Sequence, residues 1–220
     1  MYPAREDMLA ALEQRHGRAI QEKFSKAVIA VCGLGGLGSA IAVMLARAGI
    51  GKLILIDFDR VDITNLHRQQ YKADQIGVWK TKALEENLRE IAPYIKTEIH
   101  NEKLTEKNAP VLLGSADIIC EAFDDAGEKA MLAGCVLETM PDKYLIAASG
   151  MAGLGPADEV KTRKITGHFY LCGDGISDAG SCGGLFSTRV MLCAAHQAHM
   201  ALRLLAEQCT EKERNDYEEQ

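Results

Sequence analysis

Residues 27–49 read AVIAVCGLGGLGSAIAVMLARAG, and this stretch decides the fold. Ala27–Cys32 is apolar and rich in β-branched residues, as a strand buried on both faces must be. Gly33, Gly35 and Gly38 then fit G-x-G-x-x-G, with Gly36 in the same loop, where a strand passes into a helix that Gly49 and Gly51 stop. In that setting glycines serve a tight turn, close backbone approach to a phosphate, and close packing of helix on sheet, with the helix amino terminus facing the anion. Lys52–Asp57 (KLILID) is a second buried strand, and Asp57 ends it nineteen residues after Gly38, where a carboxylate can accept both ribose hydroxyls. The twenty positions from Ala27 to Ala46 carry no charge, which is the length of a membrane span. The glycines cut that run in half and exclude a membrane reading.

Before Lys26, the leucines and alanines are spaced for an amphipathic helix. Beyond Asp57 a polar passage runs from Phe58 to Gln75, too long for a plain connection. Lys80 opens a helix that Pro93 ends, and Ile95–His100 reads as a third strand. A short helix near Glu106–Leu113 leads to a strand at Ala116–Cys120. Gly127–Thr139 is helical, and Lys143–Ala148 is another buried strand. This alternation predicts a doubly wound, Rossmann-like α/β fold, its sheet mostly parallel with helices on both faces. Thirty-five residues from Gly150 to Gly184 hold nine glycines and a hairpin signal about Val160–Leu171, and a long final helix is expected over Leu185–Glu207. The chain therefore reads as a single domain: an N-terminal helix at 1–25, a nucleotide-binding core at 26–150, a glycine-rich crossover segment at 151–184, and a final helix with an acidic tail at 185–220.

At 220 residues, 47% hydrophobic and 25% charged, the composition is that of an ordinary globular domain. A net charge of −6 without a basic block argues against nucleic acid or an anionic membrane as partner. Six acids crowd the tail from Glu207 to Gln220, which reads as a solvated helix end and frayed terminus. The seven cysteines are odd in number and form no C-x-x-C pair, and the opening MYPAREDMLA lacks a secretory apolar region. A cytoplasmic, reduced setting is expected.

The glycine loop alone does not name the nucleotide, because an NAD-dependent oxidoreductase would look the same as far as Asp57. The next residues discriminate. They read DFDRVDITNLHRQ from Asp57 to Gln69, and Lys80 follows at a helix start. Hydride transfer has no use for Asn65, Arg68 and Lys80 converging beside phosphates. Cleavage of a triphosphate does, since charge building on phosphoryl oxygens needs fixed cations, arginine as a planar fork and lysine as a point charge. A non-catalytic nucleotide-binding scaffold remains the other alternative to such an enzyme.

These residues resemble the ubiquitin-activating-like adenylyltransferases of the ThiF and MoeB type. The resemblance is carried by GLGGLGS at 33–39, DFDRVDITNLHRQ at 57–69, Gly77, Lys80 and the turn containing Asp124 and Asp125. It covers about residues 15–150 and, more weakly, the last helix. The chain is most like a short ThiF without zinc, since the paired C-x-x-C motifs of a zinc site are missing. The resemblance implies ATP-dependent adenylation of the C-terminal glycine carboxylate of a small ubiquitin-like sulfur carrier protein ending in Gly-Gly. Pyrophosphate would be released, and the pathway implied is thiamine (thiazole) biosynthesis. On the same resemblance Asp57 meets the ribose, Asn65, Arg68 and Lys80 meet the phosphates, and Asp124 holds magnesium. A homodimer is implied in which Arg15, or else Arg18, reaches the ATP of the partner. Cys182 is the nearest match to a cysteine used in sulfur transfer, and Lys129 stands where an arginine is common.

Each assignment competes with a plainer one. Asp124 could cap the helix after its strand, and Asp59 could cap a loop rather than help position a metal. Lys80 could be a solvated first-turn lysine and Arg15 a solvated helix arginine. Cys182 could be a small residue in a glycine-rich loop, and the other six cysteines read as packing residues. His196 and His199, spaced i, i+3 on the last helix, read as polar residues on one face rather than a metal pair. Trp79 reads as an apolar anchor beside Lys80.

Overall fold

The computed structural model describes the backbone of residues 2–218 and the side-chain surroundings of residues up to 207. Strands β1 (Val28–Cys32), β2 (Lys52–Ile56), β3 (Lys96–His100), β4 (Ile118–Glu121), β5 (Tyr144–Ala148), β6 (Lys161–Lys164) and β7 (Phe169–Gly173) form one sheet in the order β3-β2-β1-β4-β5-β7-β6. All neighbours pair in parallel except β6, which returns antiparallel to β7 as the hairpin signal predicts. The helices are α1 (Arg5–His16), α2 (Arg18–Phe24), α3 (Gly36–Arg47), α4 (Lys80–Ile91), α5 (Ala109–Leu113), α6 (Ala126–Thr139) and α7 (Ser187–Glu218).

Strand alternation divides the core into two halves. Ile29 and Val31 of β1, with Leu53 and Leu55 of β2, pack against α3, α4 and α7. Ala30 and Cys32, with Ile54 and Ile56, pack against α5 and α6 on the other face. Burial on both faces is why these strands read as unbroken apolar runs. The helices following β1 and β2 lie on one face, and those flanking β4 lie on the other. The winding therefore reverses between β1 and β4, which opens a crevice at the carboxyl ends of those strands. The glycine turn sits there. Gly33 has φ 87°, and a Cβ on Gly38 would stand 1.8 Å from the Gly33 carbonyl oxygen, so α3 can start tight against β1 only if residue 38 is glycine.

Several expectations are corrected. The segment before Lys26 is two helices rather than one, because Gly17 takes φ 86° and ends α1. α1 buries no residue, and the inward-facing side chains are Gln21 and Phe24 of α2. Helix α3 begins inside the glycine loop, at Gly36. α7 continues to Glu218 instead of ending at Glu207, and the tail side chains beyond residue 207 lie outside the described residues. No helix among the described residues is long and apolar enough to cross a membrane.

Cys32, Cys120, Cys135, Cys172 and Cys193 are buried and Cys182 is exposed, while the side chain of Cys209 lies outside the described residues. Burial pushes the Cys172 thiol up to about 11 and the Cys193 thiol up to about 12, so both stay protonated and unreactive near neutrality. His196 hydrogen-bonds through Nδ1 to the Thr162 hydroxyl at 3.0 Å, tying α7 to β6.

Gly38→Ala is expected to cost about 3 kcal/mol of stability, because its Cβ meets backbone that cannot yield without moving α3 off the sheet. Urea unfolding checks this, and an unchanged midpoint would show that the helix start is looser than its packing implies.

Candidate functional site

A cavity of about 400 Å³ opens at the carboxyl ends of β1, β2, β4 and β5, a size that suits a small-molecule ligand. Gly33, Gly35, Gly36, Asp57, Asp59, Asn65, Arg68, Lys80 and Asp124 line it, whereas Gly38 lies behind the turn as a packing residue. The glycines differ in what demands them. A Cβ on Gly33 would press on the Ala122 carbonyl oxygen at 2.8 Å, and one on Gly36 would press on Val190 at 2.9 Å. A Cβ on Gly35 would meet nothing nearer than Gln69 Nε2 at 3.9 Å. No protein neighbour requires glycine at 35. A ligand laid against the main chain at the start of α3 would, and the amide groups there favour an anion.

Two groups clamp the peptide of Leu34. Its N–H donates to Asp57 Oδ2 at 2.6 Å, and its carbonyl accepts from the Tyr71 hydroxyl at 2.6 Å. Burial, reinforced by Asp57 and Asp59, raises the Tyr71 phenol well above its ordinary value and keeps it a donor. Ser39 Oγ adds a second tie, donating to the Gly35 carbonyl at 2.6 Å and accepting from the Gln70 N–H at 3.1 Å.

The other Asp57 oxygen accepts from the Asp59 N–H at 2.7 Å. Each carboxylate oxygen thus holds one backbone donor and retains a lone pair for a ligand hydroxyl. Burial raises the Asp57 pKa, and the Lys80 ammonium at 3.9 Å opposes that rise. Lys80 is only 6% exposed, and its Nζ donates to Asp59 Oδ2 at 2.7 Å, so it is not a solvated first-turn lysine. Asp59 is its ion-pair partner. Arg68 donates from Nη2 to Asn65 Oδ1 at 2.9 Å and from Nη1 contacts His67 Nε2 at 3.3 Å, so Asn65 helps to aim the guanidinium. Trp79 is half-buried beneath the Arg60 guanidinium, 4.0 Å from the ring centre.

The cap of α6 is Asp125, which accepts from the Glu128 N–H at 2.8 Å, and Asp124 is left exposed at the cavity wall. Among the described residues no three His, Cys, Asp or Glu side chains converge as a metal site. Arg15 and Arg18 are exposed and away from the cavity of their own chain, with Arg18 paired to Glu22 at 3.1 Å. Cys182 is exposed beside the cavity, whose wall includes Ser177, Asp178 and Ala179 but not Cys182 itself.

Sequence reasoning missed the polar groups that hold these walls. Glu121 ends β4 fully buried, and Lys129 Nζ donates to its two oxygens at 2.9 and 3.1 Å and to the Ala148 carbonyl at 3.1 Å. An acid closing the apolar strand IICE was the available signal. Arg189, also buried, donates to Asp174 Oδ2 at 2.6 Å and to the Pro156 carbonyl at 3.0 Å, tying the glycine-rich segment to α7. Burial alone would raise the Asp174 pKa. The Ser177 and Ile176 amides, the Ser177 hydroxyl and Arg189 outweigh burial and hold Asp174 well below the usual carboxylate range.

The ThiF family model matches residues 8–219. Over 193 residues the chain is 30% identical to the adenylyltransferase and sulfurtransferase UBA4 of Lodderomyces elongisporus, covering 84% of this chain and 42% of that protein. Over 123 residues it is 37% identical to the adenylyltransferase and sulfurtransferase MOCS3 of Anopheles gambiae, covering 55% of this chain and 28% of that protein. The chain thus spans less than half the length of these curated relatives. Among solved structures, E. coli tRNA N6-threonylcarbamoyladenosine dehydratase TcdA in complex with ATP matches with a TM-score of 0.83 at 20% identity, covering 96% of this chain and 99% of that one. E. coli MccB with succinimide matches at 0.67 and 22% identity, covering 86% and 59%. At such identities these structures bear on the fold.

Burial raises the Glu121 pKa, and Lys129 opposes the rise. Lys129→Met would leave the carboxylate buried without its cation, an expected loss of about 2–4 kcal/mol at neutral pH. With the folded pKa then above the unfolded value, the deficit is small below about pH 4 and grows as pH rises through the carboxylate range. Adding Glu121→Gln should recover at least half of it. A single variant as stable as wild type across that pH range would show that the pair holds nothing.

Proposed function

The chain belongs to the ThiF family, and from that membership we propose that it binds ATP with magnesium and adenylates the C-terminal carboxylate of a small ubiquitin-like carrier protein. The observation that carries this reading is a single cavity shared by a glycine turn open at Gly35 and by Asp57, Asn65, Arg68, Lys80 and Asp124. Asp57 would accept the ribose hydroxyls. The first amides of α3, Arg68 as aimed by Asn65, and Lys80 would meet the phosphates, sparing bulk water that role. Magnesium, when bound, supplies charge neutralisation at the phosphates, and Asp124 would hold it together with phosphate oxygens, as suits a cation that keeps few protein ligands.

A carboxylate is a poor electrophile because its leaving group would be oxide. In the proposed step a carboxylate oxygen bonds to the α-phosphorus, the bond from that phosphorus to the bridging oxygen breaks, and pyrophosphate leaves. The resulting acyl adenylate loses AMP readily to a later sulfur nucleophile. No covalent bond to the protein is needed, so alignment and charge neutralisation suffice. Ala122, Ala148, Ser149, Gly150 and Ala152 put small residues on the cavity wall between the larger Phe123 and Met151, which suits an extended tail ending in Gly-Gly. The carrier proposed is a sulfur carrier of the kind that feeds thiazole formation.

Arg68→Ala and Lys80→Ala should each remove roughly 2–4 kcal/mol of transition-state stabilisation in carrier-dependent ATP–pyrophosphate exchange. Because Lys80 is buried between two aspartates, melting temperatures belong beside its rates. Near wild-type exchange in both variants would remove the triphosphate assignment.

A homodimer with Arg15 reaching the partner's site also belongs to this reading. If Arg15→Ala and Asp124→Ala are each inactive, mixing them with subunit exchange should restore about a quarter of wild-type activity, since each heterodimer regains one intact site. A mixture that stays dead despite proven exchange would place the arginine elsewhere.

A further inference from the structure

Gln69 lies within the polar passage after β2 and has no part in the mechanism above. Its side chain is more than nine-tenths buried, at 8% exposed, yet Oε1 has no hydrogen-bond partner among the described residues. Buried carboxamide oxygens are normally paired, and an orphan is unfavourable, whereas methionine or leucine would fill the space without that cost. The other end of the carboxamide faces the cavity. Gln69 lines its wall, and Nε2 lies 3.9 Å from the point a Cβ on Gly35 would occupy. Gly35 is the position in the turn from Gly33 to Gly36 where no protein neighbour excludes a side chain. An amide with an unpaired oxygen and a residue without a side chain therefore border one space, beside the first amides of α3.

The main chain holds them in register. The Gln70 N–H donates to Ser39 Oγ, which donates to the Gly35 carbonyl, and Tyr71 donates to the Leu34 carbonyl, so the chain next to Gln69 is pinned to the open position and to the residue before it. With Oε1 sealed into the wall, Nε2 is the end able to reach a ligand. We propose that Gln69 is a ligand-contact residue whose Nε2 donates to a phosphate oxygen of the nucleotide laid against Gly35. This rests on the ATP reading above. A neutral donor suits that place, since it meets the anion without repelling the neighbouring Arg68 guanidinium.

The test measures binding of ATP and of adenosine to the full chain, without carrier, for wild type, Gln69→Met and Gln69→Glu, with melting temperatures in the absence of ligand. In Gln69→Met the melting temperature should hold or rise, because an unpaired buried group is gone. ATP should bind about tenfold or more weakly and adenosine as before. Gln69→Glu sets a carboxylate against the phosphates and should weaken ATP further while sparing adenosine. It is also the isosteric variant that decides the matter if Gln69→Met fails to fold. ATP affinity within twofold of wild type in the variants, equal weakening of adenosine and ATP, or a lowered melting temperature with unchanged ATP affinity would each overturn the assignment. Wild type that binds no ATP would overturn the nucleotide reading itself, whereas wild type and variants binding ATP alike would remove Gln69 alone.

Discussion

The peptide of Leu34 is held from both sides, its N–H by the Asp57 carboxylate and its carbonyl by the Tyr71 hydroxyl. Everything at the cavity depends on that clamp. It fixes the direction of the amides that follow, at Gly35, Gly36 and Leu37, before any ligand arrives. Its two jaws come from the end of β2 and from the passage carrying Asn65, Arg68 and Gln69, so the glycine turn and the loop with Arg68 are tied to one another. Preorganisation of this kind matters more for charge neutralisation than the number of cations, because donors already aimed need no reorganisation when charge develops.

The passage from Phe58 to Val78 is long and polar, yet it does not float. Gln75 and Asn87 exchange hydrogen bonds of 2.9 and 3.0 Å in the interior, and Asn87 also donates to the Gln70 carbonyl at 2.9 Å. Lys80 returns to the same loop through Asp59, by its ammonium and by its backbone N–H to the Asp59 carbonyl at 3.0 Å. The opposite wall rests on Glu121 with Lys129, and the glycine-rich segment on Asp174 with Arg189. Buried ion pairs are costly ways to add stability, since desolvation consumes most of the attraction. Their value here is positional, because each joins a cavity loop to a strand end or helix through a contact that only one geometry satisfies.

Unpaired groups mark the places where the fold serves something besides its own stability. The orphan oxygen of Gln69 is a small liability, and it belongs to the side chain that borders the open space at Gly35. Arg189 Nε and Gln197 Oε1 are also buried without a partner, so what sets Gln69 apart is its place on the cavity wall beside Gly35.

By itself the sequence determined the doubly wound sheet, the glycine turn, the strand-ending Asp57 and the loop with Asn65, Arg68 and Lys80. Strands buried on both faces must be apolar runs, and a phosphate turn must be glycine-rich, so these signals are local and survive in one dimension. Only the tertiary structure decided that Asp125 rather than Asp124 caps α6, that the amino-terminal helix breaks at Gly17, that Lys80 is buried against two aspartates, and that Tyr71, Gln69, Lys129 and Arg189 hold the cavity walls. The cap and the break are local choices between neighbouring candidates, whereas the wall contacts join distant residues, as Tyr71 with Leu34 and Arg189 with Pro156. A hydrogen bond depends on a few tenths of an ångström between partners whose spacing along the chain carries no trace of it, so folding alone brings them within reach.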